Sequence, residues 1–108
     1  MSEPSGHIDG FARERLPPRE QWPVLDFDLP ELRYAPRLNC GVELLDRMVA
    51  AGHGDRPVLL TAQEKLTYRQ LLERSNRMAR VLTEDLGLVP GNRVLIRAAN
   101  NPTFGGLL

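Results

Sequence analysis

LTYRQLLERSNRMARVLTEDLG, residues 66–87, decides the local architecture. Thr67 stands three residues before Gln70, the spacing at which a capping hydroxyl and a glutamine side chain each satisfy the other's backbone N–H. Leu71, Leu72, Ser75, Met78, Ala79, Leu82 and Leu86 then recur at the helical period, and Gly87 follows where a helix should end. The opposite face carries Arg69, Glu73, Arg77, Arg80 and Glu84, with Glu73 and Arg77 in the favourable i, i+4 order, so it belongs in water. The spacing therefore predicts an amphipathic helix over about 68–86, whose apolar stripe needs a neighbour to cover it.

The flanks supply candidates for that neighbour. Immediately upstream, the apolar run Arg56 to Ala62, the polar pair Gln63-Glu64 and then Lys65-Leu66-Thr67 predict a small two-stranded hairpin. Further back, Asn39 is a suitable N-cap, Val42, Leu45, Met48 and Val49 form one stripe of a three-turn helix, and Gly52 and Gly54 end it. Downstream, Pro90-Gly91-Asn92 is turn chemistry leading into Arg93-Val94-Leu95-Ile96-Arg97, a run suited to a buried parallel strand. Asn100-Asn101-Pro102 restarts a turn, with Asn101 as cap and Pro102 as first residue of another helix running through Thr103 toward Leu108. A finish on Leu107-Leu108 without a cap leaves apolar surface unpartnered, so a cut sequence is expected, one only marginally stable by itself.

Six of the nine prolines fall before residue 39 and argue against a long helix or central strand there. Residues 1–38 read as an extended arm, and residues 39–108 as one incomplete α/β portion. The arm is no bland linker: Phe11, Leu16, Trp22, Val24, Leu25, Phe27, Leu29, Leu32 and Tyr34 make it more apolar than disordered segments are. From about Phe11 onward it is expected to lie against something.

Composition narrows the class. Fourteen Lys plus Arg balance fourteen Asp plus Glu, so a net charge of zero removes the attraction on which nucleic-acid and anionic-membrane binders rely. Hydrophobic residues at 42% and charged residues at 26% describe an ordinary globular chain. The single cysteine, Cys40, has no partner for an intramolecular disulfide or a zinc spacing. With neither a signal-like start nor an apolar run near the roughly 20 residues of a membrane span, a cytoplasmic protein is expected.

Catalytic groups are hard to find. Gly52-His53-Gly54 lacks the third glycine, the Lys and the following helix of a phosphate cradle, and reads as a helix-ending turn. Gly105-Gly106 follows a strand-like run, yet no Lys or hydroxyl comes after it. The available bases are His7 in the arm and His53 in a loop, so neither Ser75 nor Cys40 has an evident activating partner. Asp26 and Asp28 share a side of an extended piece, but a lone carboxylate pair is more often solvated than metal-binding. Thirteen of the fourteen basic residues are arginine, and on the 68–86 helix they alternate with glutamates rather than aromatics, as a solvated face does. On these grounds no catalytic, cofactor-binding or metal-binding residue is assigned.

A resemblance supplies what the motifs do not. Gly54-Asp55-Arg56-Pro57-Val58-Leu59, Leu66-Thr67-Tyr68-Arg69-Gln70-Leu71, Ser75-Asn76-Arg77-Met78-Ala79-Arg80-Val81-Leu82, Gly87-Leu88-Val89-Pro90-Gly91-Asn92-Arg93-Val94 and Asn101-Pro102 together resemble the N-terminal stretch of adenylate-forming acyl-CoA synthetases. In the arm, His7-Ile8-Asp9 with Phe11-Ala12-Arg13, Leu16-Pro17-Pro18, Trp22-Pro23, Phe27-Asp28-Leu29-Pro30 and Arg37-Leu38-Asn39-Cys40 resemble the entry segment of benzoate-CoA and 2-aminobenzoate-CoA ligases.

The resemblance implies a two-step reaction, in which a carboxylate attacks ATP to give an acyl-adenylate and pyrophosphate and the thiol of CoA then displaces AMP. ATP, Mg²⁺ and CoA would serve the parent enzyme, whose phosphate loop, adenine-side and ribose-binding residues and catalytic lysine all lie beyond this stretch. The chain would then be an inactive scaffold that pairs with the remainder of the ligase, with no nucleic-acid or membrane partner. A free-standing module docking on a separately encoded remainder, and a truncated remnant, stand as alternatives. Gly105-Gly106 departs from the alanine-rich helix usual in such enzymes and leaves the helix register after Pro102 open.

Overall fold

The computed structural model describes residues 5–103. Secondary structure concentrates between residues 40 and 85. A one-turn helix, α1 (Phe11–Glu14), lies in the arm; a longer helical segment, α2, spans 40–53 and includes wide turns at Val42–Asp46 and Val49–His53. Strands β1 (Pro57–Leu60) and β2 (Lys65–Thr67) follow, then helix α3 (Tyr68–Arg80), which continues as a wide turn over Val81–Asp85.

The start of α2 is capped as its sequence suggests, the Val42 N–H donating to Asn39 Oδ1 at 3.1 Å. Gly52, at φ +87°, takes the left-handed conformation that breaks the helical path just before the chain turns toward β1. Strands β1 and β2 pair antiparallel in the register Pro57↔Thr67, Leu59↔Leu66 and Leu60↔Lys65, with an irregularity between Pro57 and Leu59. Thr61 closes the hairpin. Its Oγ1 accepts from the Glu64 N–H at 2.9 Å and its own N–H donates to the Glu64 carbonyl at 2.9 Å.

Helix α3 begins with nearly all of its first-turn donors satisfied. The N–H of Tyr68 donates to Arg56 O at 3.0 Å and that of Arg69 to Gly54 O at 2.9 Å. Thr67 Oγ1 accepts from the Gln70 N–H at 3.2 Å while Gln70 Oε1 accepts from the Thr67 N–H at 2.9 Å, which completes the capping box. At the far end Gly87 has φ +65°, and the Leu88 N–H donates back to Leu82 O at 2.9 Å.

Three layers meet at α3, which packs on α2 and on both strands. Among the described residues, Leu66 at 2% exposure and Leu71 at 5% are the buried hydrophobics. The charged face of α3 is in water as expected, but the i, i+4 ion pair found there among the described residues is Arg80 with Glu84 at 3.9 Å, not the anticipated Glu73 with Arg77. The apolar stripe is only partly covered: Leu72, Ser75, Met78 and Leu82 are half-buried, whereas Ala79 and Leu86 are exposed.

Two expectations are not confirmed among the described residues. Residues 93–97 are not a strand among the described residues, where β1 and β2 form the sheet; Val94 is 53% and Leu95 95% exposed. A parallel strand exists only by pairing with neighbours, and among the described residues no strand lies beside this run. The arm is also placed differently than anticipated. It contains α1 and two short 3-10 turns, Arg19–Gln21 and Pro30–Leu32, but Trp22, Val24, Leu25, Phe27, Leu29 and Tyr34 are all exposed. Its contact with the turn at Pro90 comes from the start of the arm, through the backbone of Ile8 and Asp9, the Asp9 carboxylate and the Phe11 ring under Arg93. The radius of gyration of 16.7 Å exceeds the about 13 Å of a compact domain this long, in keeping with so exposed an arm. Pro102 and Thr103 are helical, as the proline placement suggests; Phe104 to Leu108, with Gly105-Gly106, lie outside the described residues.

Candidate functional site

Packing α3 against α2 and β1 leaves an open groove of about 550 Å³. Its walls are Leu44 and Leu45 from α2, Val58 and Leu59 from β1, and Leu71, Met78 and Leu82 from α3. The i, i+3, i+4 spacing in α3 puts Leu71, Ser75, Met78 and Leu82 on one side, and the hairpin register turns Leu59 toward them. The polar groups at its edge are Asn39, Cys40, Tyr68 and Ser75, all uncharged residue types. Such a surface can take up apolar side chains; it offers no charge to a phosphate.

A second, more polar depression of about 810 Å³ lies where the arm's two ends approach the start of α2. It is lined by His7, Arg13, Arg37, Asn39 and Cys40 with Pro36 and Pro90. The structure thus brings His7 and Cys40, far apart in sequence, to the same depression. Cys40 is a free, exposed thiol. His53 sits instead at the end of α2, its carbonyl accepting from the Arg56 N–H at 3.0 Å. Ser75 lines the apolar groove, half-buried, as a packing residue would.

The Asp26-Asp28 pair makes a local turn, Asp26 Oδ1 accepting from the Asp28 N–H at 3.0 Å. Among the described residues no three His, Cys, Asp or Glu side chains gather as a metal site would need. Helix α3 begins with Thr67 and Gln70 turned onto its own N–H groups, so its N-terminus offers no cradle to a phosphate. Neither the apolar groove nor the α3 N-terminus presents the groups that would cradle a phosphate.

The Asp9 carboxylate accepts from three donors. Its Oδ1 accepts from the Phe11 N–H at 2.9 Å, and its Oδ2 accepts from Asn92 Nδ2 at 2.8 Å and Arg93 Nη1 at 2.7 Å. The Phe11 N–H foremost and then the Asn92 amide hold its carboxyl below the usual carboxylate range, outweighing the opposing effect of burial, with Arg93 adding smaller contributions. Arg93 also stacks over the Phe11 ring at 4.4 Å, and Arg15 approaches the same ring at 3.7 Å. Sequence reasoning passes over this cluster. An Asp two residues before a helix start is a visible cap signal, but Asn92 and Arg93 lie more than eighty positions away and no local pattern links them.

Comparison with known proteins bears on the rest. The AMP-binding enzyme family model matches residues 47–105, from the middle of α2 through the hairpin and α3. An acetyl-coenzyme A synthetase of Mycobacterium tuberculosis is 43% identical over 65 residues, 55% of this chain and 10% of that protein. A benzoate–CoA ligase of Thauera aromatica is 34% identical over 67 residues, 62% of this chain and 13% of the relative. Long-chain fatty acid transport protein 2 of Rattus norvegicus is 43% identical over 49 residues, 45% of this chain and 8% of that protein. The chain thus spans about a tenth of the length of these relatives. No solved structure matches. No helix among the described residues is long and apolar enough to cross a membrane.

Proposed function

The chain belongs to the AMP-binding enzyme family, and from that membership we propose that it forms the N-terminal part of an acid–thiol ligase. The parent activates a carboxylate with ATP to an acyl-adenylate and transfers the acyl group to CoA. The observation that carries the reading is the family match over residues 47–105, which takes in the second half of α2, the hairpin and α3. In this reading the unit braces a larger adenylating domain, whose remainder fills the apolar groove over Leu44, Leu59, Leu71 and Met78 and supplies strands beside residues 93–97. The 1–38 arm and the 39–108 portion are then two parts of one scaffold in a cytoplasmic enzyme.

The finer proposal is that the acid is aromatic. It is supported by the arm's resemblance to benzoate-CoA and 2-aminobenzoate-CoA ligases and by the likeness to the Thauera aromatica ligase. ATP, Mg²⁺ and CoA belong to the parent enzyme and to residues beyond those described.

The test is carboxylate-dependent exchange of labelled pyrophosphate into ATP by the complete protein carrying this sequence, with benzoate, 2-aminobenzoate and acetate compared at equal concentration. Stimulation by the aromatic acids above acetate is expected, and none from the 108-residue chain alone. Exchange stimulated by no carboxylate overturns the ligase reading. A preference for acetate overturns the aromatic one alone.

A further inference from the structure

The cluster around Asp9 joins the arm to a distant turn and is used by neither the apolar groove nor the ligase reading. Two backbone donors of the arm, the N–H groups of Ile8 and Asp9, converge on the Pro90 carbonyl at 2.8 and 3.0 Å. Beside them Asp9 Oδ2 takes the Asn92 amide and the Arg93 guanidinium, while Asn92 Oδ1 accepts from the Val89 N–H at 2.9 Å. One side chain, Asn92, therefore both closes its own turn and grips the arm. Gly91 makes room for the arm: a Cβ there would stand 2.1 Å from the Asp9 carbonyl oxygen, and its φ of +97° independently favours glycine. The turn thus fits the arm closely in shape as well as in charge.

We propose that Asp9 is a latch that fastens the N-terminal arm onto the Pro90–Arg93 turn, so that the arm and the entry to residues 93–97 are held as one piece and released together. The locking groups are directional. Oδ2 must accept twice, from Asn92 and from Arg93, whereas Oδ1 serves only the arm's own turn at Phe11. Asp9→Asn is nearly isosteric but carries no charge and a single acceptor oxygen, so it cannot serve the Phe11 N–H on one side and Asn92 and Arg93 on the other at once.

The experiment is amide hydrogen exchange on the complete protein, wild type against Asp9→Asn, read at residues 8, 9 and 89, with the amides of Tyr68–Arg80 as the fold control. Charge-assisted hydrogen bonds contribute enough that losing two should speed exchange at residues 8 and 9 at least about tenfold, with a smaller rise at 89. The control amides should be unchanged. Unaltered exchange at residues 8 and 9, or an equal acceleration throughout Tyr68–Arg80, overturns the latch. Asn92→Ala provides the second arm from the turn's side: it leaves the Asp9 carboxylate intact and should release the same arm amides, and retention of their protection in that variant also overturns the proposal.

Discussion

The arm and the α2–hairpin–α3 unit are both rich in apolar residues, yet they use them in opposite ways. In the unit, Leu66 and Leu71 are buried and Leu45, Met48, Val49, Val58, Leu59 and Met78 half-buried. In the arm, Trp22, Val24, Leu25, Phe27 and Leu29 are exposed, Val24 to 96%. Periodicity separates them. Leu71, Ser75, Met78 and Leu82 fall on one side of a helix and meet a hairpin whose register presents Leu59 and Leu66, whereas prolines at 17, 18, 23, 30 and 36 deny the arm any repeating face. Apolar content alone buries nothing; the unit folds on its pattern, and the arm is attached through polar contacts at Asp9.

The largest effect that would sharpen the contrast is expected at Leu71. Truncation of a well-buried leucine typically costs about 2–5 kcal/mol through lost transfer energy and the cavity left behind. Because Leu71 faces an open groove, water or neighbouring side chains can fill part of the space, so Leu71→Ala should fall toward the lower end. Denaturant unfolding checks it through the shift in midpoint at constant slope. A change under about 0.5 kcal/mol, the size common for surface sites, would mean that the unit has no more of a core than the arm.

Next in size is the helix cap. Thr67→Ala removes the hydroxyl that accepts from the Gln70 N–H and should destabilise by about 1 kcal/mol, whereas Thr67→Ser should retain most of the stability. The same unfolding measurement reads both. Equal losses for alanine and serine would show that the cap acts through the threonine methyl rather than the hydrogen bond.

How much of this was legible in the sequence follows from the range of the interactions. The capping box, the hairpin, the Asn39 cap and the glycine after α3 are contacts between residues a few positions apart, and spacing alone places them. What was not confirmed required distant partners. Residues 93–97 have the composition of a buried strand, but pairing is a property of neighbours, and none is present among the described residues. Leu86 continues the helical stripe past the half-buried Leu82 and is exposed. In the candidate site, Ser75 in the apolar groove and the solvated Asp26-Asp28 turn fit their plainest sequence readings, while the joining of Asp9 to Asn92 and Arg93 was invisible to any window along the chain.

A smaller effect tests the arm's attachment by acid. The Asp9 carboxyl lies below its ordinary value of 3.8 because the folded protein stabilises the carboxylate, first through the Phe11 N–H and then through Asn92 and Arg93. A depressed acid contributes its full stabilisation above the unfolded pKa and loses it as pH falls through the folded one, so the latch should hold at neutral pH and weaken only in strong acid. The other titratable or charged residues near Asp9 on the arm are His7 and, in the following turn, Arg13, Glu14 and Arg15. Following the Asp9 carboxyl carbon and the Ile8 amide together by NMR should show one shared midpoint below 3.8. An Ile8 amide that loses protection above that value, while Asp9 remains ionised, would assign the loosening to another group.

The smallest expected effect lies at the arm's most exposed large apolar residue. Val24 is 96% exposed, so Val24→Asp removes almost no buried surface and should change stability by less than about 0.5 kcal/mol in the isolated 108-residue chain. The same substitution separates two accounts of why the arm is apolar at all. If the remainder of the larger protein covers the arm, Val24→Asp should destabilise the complete protein while leaving the short chain untouched, because a charge would then be buried without a partner. If the arm is solvated in both, the substitution is silent in both, and the difference between arm and unit is intrinsic to residues 5–103 rather than a consequence of viewing them without their neighbours.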